Sequence, residues 1–194
     1  MTTDEMTANE STPRGDLLTD CERSTYYHQE RRHFYNWAHS LIQFVLLGAS
    51  ATGAALFFGD AFGENGKWGG IGFLTATTLL ALIEVLWKPA RKASDHKSLF
   101  ADFTLLAGKI HSDKTPDDAT VAEWTREFHA ISSREPPVFY ALAVQSANKV
   151  VISLGADQGY LVDLKFYHRR LRNVCHFQST EFLSRNQLKE QAQH

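Results

Sequence analysis

Cysteine is scarce in this chain, two residues in 194, and Cys21 and Cys175 share no motif with each other. That excludes a disulfide framework and points to a reducing compartment. No excess of one charge is present either: 20 Lys and Arg stand against 22 Asp and Glu, for a formal net charge of -2. A dedicated nucleic-acid binder carries a strongly basic face, so that class is excluded. No segment alternates apolar and polar residues in the manner of a strand, and no internal repeat is visible. The first 24 residues lack an apolar run and carry Asp4, Glu5, Glu10 and Asp16. No cleavable signal peptide is legible there, and residues 1–24 read as a disordered tail.

Charge is all but missing from two stretches. From His33 to Gly59 there is no Asp, Glu, Lys or Arg, and from Trp68 to Trp87 the one charge is Glu84. The apolar part of the first, Leu41–Gly59, is 19 residues and the second is 20. At about 1.5 Å per residue each makes a helix of roughly 30 Å, the thickness of a bilayer's hydrocarbon core. A soluble helix keeps a polar stripe facing water, and these do not. A mean hydropathy of -0.29 conceals them because the remainder is polar. The reading is all-α: a two-helix transmembrane hairpin with a C-terminal cytoplasmic helical bundle. Residues 25–92 form an amphipathic lead-in helix plus spans at about 40–59 and 68–87, and residues 93–194 form the cytoplasmic domain.

The flanks set the orientation. Arg31 and Arg32 precede the first span; Lys88, Arg91 and Lys92 follow the second; the connecting loop Asp60–Lys67 holds Asp60 and Glu64 against Lys67. Positive charge stays inside, so both termini are expected in the cytoplasm. Tyr35, Trp37, Trp68 and Trp87 stand where interfacial aromatic anchors belong. With no signal peptide, the first span would have to serve as its own insertion signal.

Downstream, Lys88-Pro89 either ends the second helix or kinks it. Leu99, Phe103, Leu106 and Ile110 are spaced by four, three and four, one face of a helix. Asp117 or Asp118 can cap the next helix, whose face is Val121, Trp124, Phe128 and Ile131. Pro137 can occupy the first turn of a helix running to about Leu154, and Gly155 and Gly159 bracket another break. A last long helix is expected from about residues 157–160, with Tyr160, Leu164, Tyr167, Leu171 and Val174 alternating four and three. Two heptads suit a face packed in a bundle better than a free coiled coil.

Chemistry-bearing motifs are few. His28, His33 and His39 are five and six residues apart and do not share a helix face. His168, Cys175 and His176 lack the paired spacing that zinc requires, so no metal site is expected. The Gly63-Glu-Asn-Gly-Lys-Trp string fails as a phosphate loop, because position 61 is Ala and Trp68 replaces the Ser or Thr. Neither an enzyme activity nor a cofactor has support. Glu84 lies four residues before Lys88, which suggests a helical ion pair near the cytoplasmic surface; an ion-binding or gating role is the sharper alternative. Gln43, Gly48, Ser50, Thr52 and Gly53 in the first span, and Gly72, Thr75, Ala76 and Thr78 in the second, are small or weakly polar. Ala49/Gly53 and Gly72/Ala76 are small-xxx-small pairs, read as packing between the two spans. Pore lining by these positions would require an oligomer, because two helices cannot enclose a channel.

This arrangement resembles the SLATT family, bacterial two-span proteins associated with nucleotide-synthase and SLOG-type sensor systems. The resemblance is carried by Arg32-His-Phe-Tyr-Asn-Trp-Ala-His entering the first span, the glycine-containing hairpin, and the basic exit Lys88–Lys92. It continues in Glu135-Pro-Pro-Val-Phe-Tyr-Ala-Leu followed by Asn148, and covers roughly residues 25–155. It implies a membrane effector of antiviral, abortive-infection type defence. Such a protein self-associates in the inner membrane and permeabilises it when a cytoplasmic nucleotide-signalling or sensor partner is triggered. The alternatives are a membrane-anchored interaction module without a pore, or a phage holin or exclusion protein, although holins are usually shorter.

Overall fold

The computed structural model describes residues 12–58, 63–177 and 182–191. Among them every regular element is helical, apart from one isolated antiparallel bridge between Val162 and Ser184. The elements are α1 (Pro13–Phe58), α2 (Gly63–Trp87), α3 (Pro89–Ser112), α4 (Asp118–Ser132), α5 (Tyr140–Ser153), a 3-10 turn (Gln158–Tyr160), α6 (Phe166–Leu171) and α7 (Arg185–Gln191). The chain divides into two units, one of residues up to Gln29 and from Lys97 onward, the other Glu30–His96.

The first unit starts earlier than expected. Helix α1 begins at Pro13, within the stretch 1–24 read as a tail, and Leu17 and Cys21 enter the core. The local chemistry explains the start: Thr12 Oγ1 accepts from Gly15 N (3.2 Å), proline opens the first turn, and Asp16 lies at its positive end. Residues 1–11 of the expected tail lie outside the described residues.

The face Leu99, Phe103, Leu106 and Ile110 is buried as its spacing requires, and packs with Leu17, Cys21, Trp124 and Ile131; Val121 and Phe128 lie against that cluster. Burying each such side chain contributes about 1.5–3 kcal/mol. Arg14 closes the end of α3, donating from Nε (3.2 Å) and Nη2 (2.9 Å) to the Ile110 carbonyl. Asp117 caps α4 by accepting from Thr120 N at 2.8 Å, and the Thr120 side chain, followed by this N–H, holds its carboxyl below the usual carboxylate range.

Helix α5 begins at Tyr140, three residues after Pro137. Phe139 stays extended because its N–H donates to the Tyr27 hydroxyl (3.1 Å). The same loop sets Glu135 Oε1 3.2 Å from Nε2 of the fully buried His28, whose ring stacks on Phe103. The end of α5 agrees with expectation: Leu154 caps it and Gly155 turns the chain at φ +63°.

Among the described residues the last long helix is absent. The segment instead holds the 3-10 turn, extended backbone at Leu161, the Val162–Ser184 bridge and the short α6. Tyr160 and Val174 are exposed, so the four-three spacing is not a packed face. Asn148 decides this: its amide donates to the Val162 carbonyl (2.7 Å) and its Oδ1 accepts from Val162 N (3.0 Å). Both backbone groups of Val162 are thereby satisfied in an extended conformation, and helix is not needed to pair them.

Candidate functional site

The second unit holds the uncharged helices. On α1, Arg31, Tyr35, Ala38 and Ile42 are buried, spaced four, three and four; on α2, Gly70 and Thr77 are buried seven apart. This is the seam of two paired helices. Away from it the apolar side chains point outward: Phe44 and Leu47 are each 77% exposed, Val85 65% and Leu86 81%. Among the described residues one helical run, Trp68–Ser112, is long and apolar enough to cross a membrane, and only 11% of its apolar window is buried. The far end of the first uncharged stretch, with Gly53, falls in residues 53–67, outside the described side chains. Helix α2 is already formed at Gly63, inside the stretch expected as the loop Asp60–Lys67, whose residues 60–62 are outside the description.

Glu84 does not pair with Lys88. Its carboxylate crosses to α1, where Gln43 Nε2 donates to Oε1 (2.6 Å) and His39 Nδ1 stands 3.0 Å from the same oxygen. The reason lies in the next turn. Proline disfavours the α conformation at the residue before it, and Lys88 takes φ +50°, which removes its side chain from the i,i+4 row. A non-glycine residue there costs about 1–2 kcal/mol. The backbone ladder survives, with Lys88 N donating to Glu84 O (2.9 Å) and Lys92 N to Lys88 O (3.1 Å). Helix therefore resumes as α3, the kinked of the two outcomes expected at Lys88-Pro89.

The small and weakly polar positions divide. Gly48, Ser50, Thr52, Gly72, Thr75, Ala76 and Thr78 are all exposed. A Cβ added at Gly48 or Gly72 would meet no atom within 4 Å. The Gly72/Ala76 pair therefore does not pack against α1, contrary to the expectation of packing between the spans. Gly72 sits two residues, about 200°, around the helix from Gly70 in the seam. The threonine hydroxyls turn back on their own helices: Thr52 donates to Gly48 O (2.9 Å), Thr75 to Ile71 O (2.9 Å) and Thr78 to Leu74 O (2.8 Å). Ile71, Leu74, Thr75, Thr78 and Leu79 line a shallow groove of about 310 Å³ on this outer face.

The expected interface anchors also divide. Trp37 and Trp68 are exposed, 61% and 72%, as belt residues are. Arg31 and Tyr35 are buried instead: the Arg31 guanidinium lies 4.5 Å from the Tyr35 ring centre and donates to its hydroxyl. Position 31 shares the α1 seam with 35 and 38, so the helix turns it inward. Burial pushes the Tyr35 phenol above its usual pKa, with Arg31 opposing the shift. Trp87 packs edge-on to Tyr35 (5.9 Å) and Phe34 (6.2 Å), and Lys92 Nζ lies 5.6 Å from the Tyr35 ring and 5.7 Å from Trp87. Lys88 and Arg91 are exposed; Arg32 and Lys92 are half-buried.

His39 is the site residue that sequence reasoning passed over. The signal was available, since His39 and Gln43 are four apart on one helix face and Glu84 is the single carboxylate opposite. In the first unit, a cavity of about 410 Å³ is lined by Arg23, Tyr27, Glu135, Tyr140 and Val144 among others. Among the described residues no three His, Cys, Asp or Glu side chains converge as metal ligands. Comparison with protein-family models, with curated proteins and with solved structures gives no match.

Proposed function

We propose that this chain is a two-span protein of the bacterial inner membrane, with both termini cytoplasmic, that self-associates and permeabilises the bilayer when a partner sensor is triggered. In this reading it is an effector of abortive-infection type defence, as the resemblance of its hairpin and basic exit to the SLATT family implies. One observation carries the membrane part: Phe44, Leu47, Leu79, Val85 and Leu86 stand exposed along two paired helices nearly free of charge. Leaving that surface in water forgoes about 25 cal/mol per Å² that transfer into lipid would gain. The outward small positions Gly48, Gly72 and Ala76 support self-association, because they let a further helix approach closely. The test is direct: overexpression depolarises cells, and liposomes carrying the purified chain release trapped dye. Intact potential and full dye retention, even with the neighbouring gene product present, would reject permeabilisation.

A second reading, a membrane-anchored interaction module without a pore, is favoured by a different observation. Thr52, Thr75 and Thr78 already donate to their own helices, and Glu84 is held by Gln43 and His39, so one copy offers few unengaged polar donors along the spans. A conducting form must re-aim Glu84 or its partners. If leakage fails while the chain stays membrane-bound and captures a cytoplasmic protein, the module reading holds.

A further inference from the structure

The basic exit of the membrane unit is more than a topology signal. Lys88, Arg91 and Lys92 fall within five consecutive residues where α2 gives way to α3, and Arg32 lies one helical turn before Tyr35 on α1. Among the described residues no carboxylate stands within ion-pair distance of Arg32, Lys88, Arg91 or Lys92; the ion pairs formed are elsewhere. Asp95, one turn beyond Arg91, forms no pair with these cations, and Glu84 is held by His39 and Gln43. What braces Lys92 is aromatic. Lys92 sits on the faces of Tyr35 and Trp87, His96 stacks on Tyr35 at 5.6 Å, and Arg31 covers the same ring. A cation held on a ring face is attracted by the ring quadrupole and keeps its N–H donors for another partner.

We propose that Arg32, Lys88, Arg91 and Lys92, the last of them braced by Tyr35 and Trp87, bind the phosphate of an anionic phospholipid headgroup at the end of the spanning helices. Charge complementarity selects the ligand. Four cations with no carboxylate partner among the described residues attract a phosphate, and the exposed apolar faces of Leu82, Val85 and Leu86 immediately before the cluster accept acyl chains. Juxtamembrane basic clusters recognise anionic lipid in this way, each cation contributing about fivefold in binding. The proposal rests on the membrane reading above.

The test uses the full chain reconstituted in phosphatidylcholine bilayers containing acyl-brominated phosphatidylglycerol or acyl-brominated phosphatidylcholine. Quenching of tryptophan fluorescence reports which lipid sits beside Trp87, and Trp87→Phe identifies that tryptophan's share. Preferential quenching by the anionic lipid is expected, falling about fivefold in Arg91→Gln and to near parity in the Lys88→Gln/Arg91→Gln/Lys92→Gln variant. A Lys97→Gln/Lys109→Gln control is expected to keep the preference. Equal quenching by both lipids in the inserted wild-type chain overturns the site and leaves the membrane reading standing. Displacement of the anionic lipid by excess inorganic phosphate overturns the lipid as the source of the phosphate. A chain that never inserts removes the membrane reading and this site together.

Discussion

Arginine at Leu79 separates lipid from water around α2. Leu79 is 56% exposed and lies within two residues of the midpoint of Trp68–Trp87, where a long side chain reaches the interface least easily. If that face meets lipid, the change forfeits about 0.5 kcal/mol from leucine and adds about 2.5–3.5 from arginine. The sum of about 3–4 kcal/mol, at about 1.4 per decade, lowers insertion by two to three orders of magnitude. If the face meets water, an exposed substitution away from any special feature stays within about 0.5 kcal/mol. Leu105→Arg is the matched control, because Leu105 is 66% exposed on α3 and outside the uncharged window. The assay is the fraction retained in membranes after alkaline carbonate extraction, with a reporter fused at the C terminus to score topology. Leu79→Arg is expected to leave the membrane fraction and Leu105→Arg to remain. Equal retention of the two variants, or a wild-type chain folded and monodisperse without detergent, refutes the reasoning.

Cys21 makes the first unit alkali-sensitive. Burial, followed by the carboxylates of Asp20, Glu127 and Glu22, pushes its thiol from 9.0 up to about 12. The folded state therefore holds a proton that the unfolded state releases, and stability falls from about pH 9, by about 1.4 kcal/mol per unit and at most about 4 by pH 12. Denaturant midpoints of the wild type minus those of Cys21→Ala should show that slope; a flat difference would reject the buried thiol. Asn148→Ala should cost about 2–3 kcal/mol by leaving both Val162 backbone groups without their side-chain partner. Hydrogen exchange should rise at Val162, and an unchanged rate there would count against the clamp. At the α1–α2 seam, His39→Leu and Glu84→Leu should each lower thermal stability in detergent. The double variant should lose less than the sum, by about 0.5–3 kcal/mol, and strict additivity would show that the two groups do not interact.

Periodicity carried well where a helix has one partner surface. Leu99, Phe103, Leu106 and Ile110 are buried as their spacing demands, and Asp117 caps α4 as its position before an apolar face suggests. Capping signals were legible and overlooked at Thr12-Pro13, where a polar composition concealed a helix start. Periodicity failed at residues 160–174, because spacing cannot register that Asn148, far along the chain, supplies hydrogen bonds to an extended Val162. It also failed at Gly72 and Ala76. Small-xxx-small spacing says that close approach is possible, and only the helix register says toward what.

The sequence by itself determined the all-helical class, the two uncharged stretches and the helix break before Pro89, because each follows from local composition or backbone sterics. Tertiary structure alone decided which side of each helix is turned inward. It set Glu84 against His39 and Gln43, buried Arg31 and Tyr35, and left Lys92 on aromatic rings. Those outcomes depend on how the helices pack, and a linear order of side chains offers candidates for such contacts without fixing which of them form.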